Sequence, residues 1–421
     1  MQFENSLAFA RKTDGEDVLR AFRDEFYIPE VHGKPCVYLT GNSLGLLPKA
    51  AEKALKDELE DWKNLGVEGH FHGKNPWFHY HKFLSENTAL VVGAKPSEVV
   101  VMNQLSSNLH FLFVSFYRPN ASRFKIIMEA GAFPSDMYLV ESQVRFHGYD
   151  PAEAIIEIAP RNGEHTLRHE DIIDAIETHK DSTALVFFSG VQYYTGQVFK
   201  IKEITEKAHS VGAVAGFDLA HAAGNIDLQL HDWMVDFAAW CSYKYLNSGP
   251  GSVGGVFVHE KHGNDSSLPR FAGWWGHQES ERFKMLKGFI PEAGAAGWQL
   301  SNAPVLSMAV HRVALDIFAR AGMKRLQEKG RMLNAYLDYI IRESKEGNPN
   351  LKIDIITPAY PERACQISML TGENGKSLFD HLTAGGVIAD WRNPNVIRMA
   401  PVPLYNRFED IYRLGQVLAS F

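Results

Sequence analysis

The stretch Val214–Leu246, VAGFDLAHAAGNIDLQLHDWMVDFAAWCSYKYL, decides the fold. Val214–Phe217 is a short apolar run closed by Asp218, and Phe237–Cys241 is a second one, closed by Ser242, Tyr243 and Lys244. Apolar runs of this length between polar turns read as strands covered on both faces. In open α/β sheets, ligands sit beyond the carboxyl ends of the strands. Asp218 and Lys244 are therefore expected to project from neighbouring strand ends into one cleft.

The same alternation extends outward. Strands are expected at Val99–Met102, Lys125–Met128, Ile155–Ile158, Ala184–Ser189, Val214–Phe217, Phe237–Cys241 and Val253–Val258, with helices between them. That order predicts an α/β fold with a mostly parallel central sheet. Upstream, residues 1–30 read as an amphipathic helix ended by Pro29, and Val37–Thr40 as a short strand. Pro48 opens a helix through Trp62 with Leu55, Leu59 and Trp62 on one face, and another helix runs from about His79 to Val92. Downstream, Pro304 begins a long helical stretch to about Ser344, broken near Gly322, before the mixed short elements of Leu351–Phe421. The expected organisation is an N-terminal arm, 1–50, packing on a smaller α+β C-terminal domain, 304–421, with a large domain, 51–303, between them.

Composition narrows the class. The 421 residues allow two or three domains, and 45% hydrophobic with 22% charged residues describes an ordinary globular protein. A net charge of −7 with no basic stripe argues against nucleic acid as a partner. Cys36, Cys241 and Cys365 are scattered and form no disulfide framework or CxxC site, which fits a reducing cytoplasm. The N-terminus lacks the apolar core of a signal peptide, and no apolar run approaches ~18 residues, so no membrane span is expected.

An acid and a lysine at adjacent strand ends suggest a particular chemistry. A lysine amine can form a Schiff base with an aldehyde. A carboxylate facing the ring nitrogen of pyridoxal phosphate keeps that nitrogen protonated and makes the ring an electron sink. His221, three residues after Asp218, is close enough to stack on or orient such a ring. Gly249–Gly255, GPGSVGG, lets backbone approach closely after the lysine. The competing reading is an ordinary salt bridge between strand ends; the FDLAH and SYKYLN contexts favour the cofactor.

Other segments offer polar groups at strand ends. In GNSLG, Gly41–Gly45, Ser43 can serve a substrate-contacting loop or the turn can merely begin a helix. LSSN, Leu105–Asn108, is either a phosphate-binding helix N-terminus or a plain serine cap. In AFPSD, Ala132–Asp136, Phe133 can stack on an aromatic ring and Asp136 can bond a ring nitrogen or cap the helix. FFSG supplies Ser189, and the GWWGH loop holds Trp274 and Trp275, which belong to the core or reach a partner subunit's site. Arg398, in RNPNVIRMAP, can clamp a carboxylate bidentately or pair on the surface. His70, His72, His79 and His81 lack a nearby Cys or Asp and the fixed convergence of a zinc site, so no metal is expected.

Taken together, GNSLG, FPSD, FSGVQYYTGQ, GFDLAHAAGN, CSYKYLNSGPG, GWWGH, LSNAP and IRMAPVPLYN resemble the kynureninase family, pyridoxal phosphate enzymes of the aspartate-aminotransferase, fold type I, class. The likeness runs nearly end to end. It implies Lys244 as the Schiff-base lysine, Asp218 as partner of the pyridine nitrogen, and Tyr243 as a general acid. It implies cofactor contacts by Leu105, Ser106, Phe133, Pro134, Ser135, Asp136, Ser189, His221, Tyr243, Trp274 and Asn302, with Trp274 donated across a homodimer. Arg398 resembles the clamp for the substrate α-carboxylate, and Ser43, His70, Ser301 and Asn302 match positions at the aryl end. Many relatives carry threonine where this chain has Ser106; the hydroxyl is kept. The implied reaction is hydrolysis of L-kynurenine to anthranilate and L-alanine, and the His70, Ser301, Asn302 combination resembles members that prefer 3-hydroxykynurenine.

Three other readings compete: a cysteine desulfurase-like lyase, a nicotinamide dehydrogenase and a cofactor-free scaffold. A cysteine desulfurase-like lyase needs a nucleophilic cysteine on a mobile loop, whereas Cys365 lies in the strand-like RACQISM. A nicotinamide dehydrogenase would carry GxGxxG after its first strand, and none is present there.

Overall fold

Seven short runs, rich in β-branched and aromatic residues, assemble into one sheet in the computed structural model, which describes residues 2–421. In chain order they are β1 (Val99–Met102), β2 (Lys125–Glu129), β3 (Ile155–Ile158), β4 (Thr183–Ser189), β5 (Val214–Asp218), β6 (Phe237–Cys241) and β7 (Gly254–Val258). Their spatial order is β1-β7-β6-β5-β4-β2-β3. Strand β7 runs antiparallel to both neighbours and the other pairings are parallel. The expected strands recur within a residue at each end, because buried strands carry little but apolar side chains.

Seven helices matter to the site and its support: α1 (Leu7–Glu16), α2 (Ala50–Leu65), α3 (Leu105–Phe116), α4 (Pro134–Phe146), α5 (Val305–Ala321), α6 (Met323–Gly347) and α7 (Phe408–Ala419). Apolar clusters cover both faces of the sheet. Val186, Phe217 and Trp240 belong to one, and Phe113, Phe187 and Phe237 to the other. Gly254, the first residue of β7, lets α3 dock against it: a Cβ there would lie 2.8 Å from Asn108 Nδ2 and 3.3 Å from the Leu105 amide. The helix N-terminus is thereby pinned at the carboxyl edge of the sheet.

Helix α2 departs from expectation. Leu59 and Trp62 face outward, 49% and 61% exposed. The inward position belongs to Glu58, whose buried carboxylate accepts from Asn75 Nδ2, Trp77 Nε1 and Tyr80 Oη at 3.0, 2.8 and 2.9 Å. Three donors from one downstream loop outweigh the apolar stripe, a preference invisible to helical periodicity. The segment expected as helix from His79 divides into a 3₁₀ stretch, Trp77–Leu84, and a helix, Ser85–Val92.

The C-terminal part builds a second sheet from β8 (Ile353–Ile355), β9 (Ile367–Thr371), β10 (Asp390–Arg392) and β11 (Val396–Met399), antiparallel in the order β8-β9-β11-β10. Helix α1 packs here. Phe9 meets Tyr336 of α6 at 5.4 Å, and Asp14 accepts the Phe408 and Glu409 amides at 2.7 and 2.9 Å, capping α7 from a distant segment. Just beyond α1, Asp17 meets Lys329 of α6 at 2.7 Å with both side chains 7% exposed.

Breaking a buried ion pair from one side leaves the other charge uncompensated. Asp17→Ala is expected to destabilise the fold by about 3 kcal/mol in urea unfolding, more than an exposed pair would cost. Asp17→Leu with Lys329→Met should recover most of that loss.

Candidate active site

The carboxyl ends of β5 and β6 bring Asp218 and Lys244 to one cavity of about 380 Å³, within the size range of small-molecule sites. Asp218 is 5% exposed and accepts the Ala220 N–H at 2.6 Å. Lys244 is half-buried, its Nζ 5.9 Å from the Phe133 ring centroid and 5.9 Å from that of Tyr243. The GNSLG loop reaches the same place by close backbone approach. Gly45 N donates to Tyr243 O at 2.8 Å, and a Cβ on Gly45 would lie 2.4 Å from Lys244 O. That contact sets Ser43 and Asn42 on the cavity wall.

Asp136, in the first turn of α4, stands beside Asp218 in the same cavity. Burial pushes both carboxyls up; the Asp218 charge raises Asp136 further, while Lys244 draws Asp218 back down. Two neighbouring acids in a dry site do not both ionise. The hydrogen bond between them favours the proton on Asp136 and the charge on Asp218. His221 is held well below its ordinary value by burial first, then by Lys244, Arg398 and Arg392, so it is neutral. Burial also raises the Tyr243 phenol, which stays protonated.

Leu105 and Ser106 open α3 and line the cavity, where the unpaired amides of a helix N-terminus favour an anion. Phe133 and Ser135 line it too; Pro134 starts α4 beneath them and is not on the wall. Ser189 ends β4, in register with Asp218, and its Oγ lies 2.6 Å from Glu129 Oε1. Arg398, on β11 and 1% exposed, bonds Asp390 Oδ2 through Nε at 2.7 Å and through Nη2, and Tyr193 O through Nη1 at 2.6 Å. A guanidinium has five N–H donors, so two remain for a ligand.

This set fits a phosphorylated, protonatable aromatic aldehyde. It offers an amine, a buried carboxylate beside open space, an aromatic wall and an anion-favouring helix end. Three buried polar atoms on the wall, Asn42 Oδ1, Glu129 Oε2 and His221 Nδ1, have no partner among the described residues.

Besides Pro134, four of the expected residues are not brought to the cavity of this chain. His70 bonds Val67 O at 3.0 Å and packs edge-on against Trp77 at 5.4 Å. Trp274 is 43% exposed, with Nε1 3.4 Å from Arg282 O, and Ser301 and Asn302 are exposed. Conversely, Gln104, Glu129, Tyr193 and Arg392 line the cavity unforeseen. Glu129 left a signal: a charged residue directly after an apolar run, at the end of a strand that extends one residue further than expected. Elsewhere, the ligand atoms of Glu98, His231 and His259 lie within 4.8 Å of one another. Backbone amides of Lys95 and Glu260 occupy Glu98 at 2.9 and 2.8 Å, and Lys261 N occupies His259 Nδ1 at 3.1 Å, so the trio is an internal bonding network.

Residues 37–351 match the family model of aminotransferase class-V, and residues 326–418 match that of the kynureninase C-terminal domain. The chain is 55% identical over 420 residues to the kynureninase of Flavobacterium psychrophilum, across 99% of this chain and 98% of that one. It is 53% identical over 418 residues to the kynureninase of Myxococcus xanthus, across 99% and 97%. Among solved structures, the cystine C-S lyase C-DES in complex with cysteine persulfide superimposes with a TM-score of 0.75 at 16% identity, covering 92% of this chain and 98% of that chain. A cysteine desulfurase from Thermococcus onnurineus gives 0.74 at 16%, covering 91% and 94%. At that identity the likeness is one of fold: this chain's Cys365 is buried, its thiol pushed up to about 12, which is unfit for a nucleophile.

Burial lifts the Glu129 carboxyl from its ordinary 4.5 to about 8. A raised folded-state value means stability that is present below about pH 4.5 and is lost as pH climbs to about 8. Relative to Glu129→Gln, the wild type should lose on the order of 2–4 kcal/mol between pH 5 and pH 8 in urea titrations. A difference independent of pH would refute the assignment.

Proposed function

The chain belongs to the kynureninase family, and from that membership we propose that it cleaves the Cβ–Cγ bond of L-kynurenine and of 3-hydroxy-L-kynurenine with water. The products are L-alanine with anthranilate or 3-hydroxyanthranilate. It is a pyridoxal-phosphate-dependent hydrolase of carbon–carbon bonds, as are the family's members. The observation that carries the reading is the convergence of Lys244, Asp218, Asp136 and Arg398, from four separate elements, on one cavity.

The bound cofactor supplies a protonated pyridine ring that takes up the electron pair released at the substrate's α-carbon. Lys244 Nζ would hold the cofactor through its aldehyde, and the free amine would take the proton from the substrate Cα. Asp218 holds the proton on the ring nitrogen, and Asp136, keeping its own proton, bonds Asp218 without adding charge. Leu105, Ser106 and the α3 N-terminus bind the phosphate. Phe133 and His221 bound the ring, the latter neutral and adding no competing cation. The two spare N–H groups of Arg398 grip the α-carboxylate, while Asp390 and Tyr193 O fix the plane of the guanidinium. Tyr243 Oη, protonated, delivers a proton to Cβ after the bond breaks.

The aryl end needs a second copy of the chain. His70, Trp274, Ser301 and Asn302 lie outside this chain's cavity, and His70 and Trp274 belong to a surface cluster of rings. Phe71 packs on Phe78 at 5.8 Å, Phe78 on Phe283 at 5.6 Å and Phe283 on Trp274 at 5.5 Å. Phe71 and Phe283 remain 53% and 54% exposed. A patch of exposed aromatics at this density is characteristic of an interface. A homodimer that buries it would carry these four residues to the partner's cavity. Hydrogen-bonding side chains there discriminate in favour of a ring hydroxyl.

Two measurements test the proposal. Incubation with either substrate should yield alanine and the matching anthranilate by mass, with the larger kcat/KM for 3-hydroxykynurenine. No product from either substrate would refute the activity, and a strong preference for unsubstituted kynurenine would refute the aryl-end reading. Separately, mixing Lys244→Ala with His70→Ala chains under subunit exchange should restore roughly a quarter of wild-type sites, since half the dimers are hybrids with one intact site each. No recovery would refute shared sites.

A further inference from the structure

Glu129 stands unused by the chemistry above, although it lies on the cavity wall. Its carboxyl ends β2, is 2% exposed, and is bonded through one oxygen only, to Ser189 Oγ at 2.6 Å. Oε2 has no partner among the described residues. A buried carboxyl half-satisfied at the edge of a ligand cavity calls for an explanation.

Strand order supplies one. Reading along the carboxyl edge of the sheet in the order β1-β7-β6-β5-β4-β2, the groups met are the α3 N-terminus after β1, Tyr243 and Lys244 after β6, Asp218 on β5, Ser189 on β4 and Glu129 on β2. Pyridoxal phosphate carries its phosphate arm and its phenolic oxygen on opposite sides of the aldehyde carbon. With the phosphate at α3 and the ring nitrogen at Asp218, the phenolic edge faces β4. That edge meets Ser189 first and Glu129 behind it.

We propose that Glu129 is a positioning residue for the cofactor: it fixes the rotor of Ser189 so that the serine hydroxyl donates to the phenolic oxygen of the ring. This rests on the cofactor placement given under the proposed function. A hydroxyl has one proton to give. If Ser189 donates to Glu129, it has none left for the ring. When the Glu129 carboxyl carries its own proton, it donates to Ser189 Oγ and frees the serine proton for the phenolic oxygen. Burial favours that protonated form, and Asp218 favours it further. The charged and titratable groups facing Glu129 are Asp218 from β5 and Asp136 from α4, the Lys244, His221, Tyr243, Arg392 and Arg398 side chains lining the same cavity, and His165 across a second cavity of about 310 Å³ that Glu129 also lines with Gln192 and Tyr193. The two acids oppose a negative charge on Glu129, while Lys244 draws the ionised form mainly onto Asp218.

A donated hydrogen bond to the phenolic oxygen alters the proton equilibrium of the lysine-bound cofactor, which its visible absorption reports. The experiment is a pH titration of that band in the holoenzyme, with the cofactor dissociation constant measured alongside. Glu129→Ala and Ser189→Ala should each shift the band's midpoint by about one pH unit and weaken cofactor binding about tenfold. The double variant should be no worse than Ser189→Ala alone. Glu129→Gln, whose amide donates to Ser189 at any pH, should restore the midpoint and the affinity. An unmoved midpoint in Glu129→Ala, additive losses in the double variant, or failure of Glu129→Gln to restore would each overturn the proposal. A wild-type protein without any Lys244-dependent band would overturn the cofactor placement itself, which separates the two failures.

Discussion

Burial of Asp218 and Asp136 side by side is the constraint on which the site depends. Taking carboxyls out of water costs several kcal/mol each unless charge is shared or countered. Here burial and the neighbouring charge favour a proton on Asp136, and Lys244 counters the charge on Asp218. The arrangement leaves a single buried anion facing open space, the complement of a protonated ring nitrogen. Without that ligand the site is costly to the fold; with it, the same charge becomes an attractive contact. The destabilisation is stored where the chemistry occurs.

The rest of the molecule keeps this edge of the sheet in place. Glycines at 45 and 254 let the GNSLG loop and α3 come within backbone distance of the lysine segment and of β7. The C-terminal sheet contributes through Arg398, which reaches across to Tyr193 O while Asp390 holds its other side. The Arg398 guanidinium is thus held between elements from the two sheets. Gln366 reinforces the seam, accepting from the buried Asn42 at 3.0 Å and donating to Tyr193 O at 3.0 Å. Arg398 and Lys244 line one cavity across this seam, so a ligand touching both would link its binding to the mutual orientation of the sheets.

Much of this was legible from residue order. Asp218 and Ser189 end buried strands, Lys244 closely follows one and Asp136 opens the helix after another, and ligands in α/β folds bind beyond strand ends. Glu129 obeys the same rule, but it lies just before the AFPSD motif and no motif of its own singles it out. Leu59 and Trp62 were misplaced because periodicity counts apolar residues, whereas three hydrogen-bond donors to Glu58 turned the helix the other way. His70, Trp274, Ser301 and Asn302 were grouped with the site by resemblance, and a single chain leaves them on its surface.

The sequence by itself determined the strands, their α/β alternation and the identity of the groups at their ends. Those follow from local patterns of burial, which each segment carries within itself. Only the tertiary structure decided which of those groups meet. Asp136 stands in one cavity with Asp218, Glu129 bonds Ser189, and Arg398 spends three of its five donors on Asp390 and Tyr193 before any ligand arrives. Protonation and donor capacity depend on distances of a few ångströms between residues far apart in the chain, and on the water that packing excludes. No local pattern encodes either.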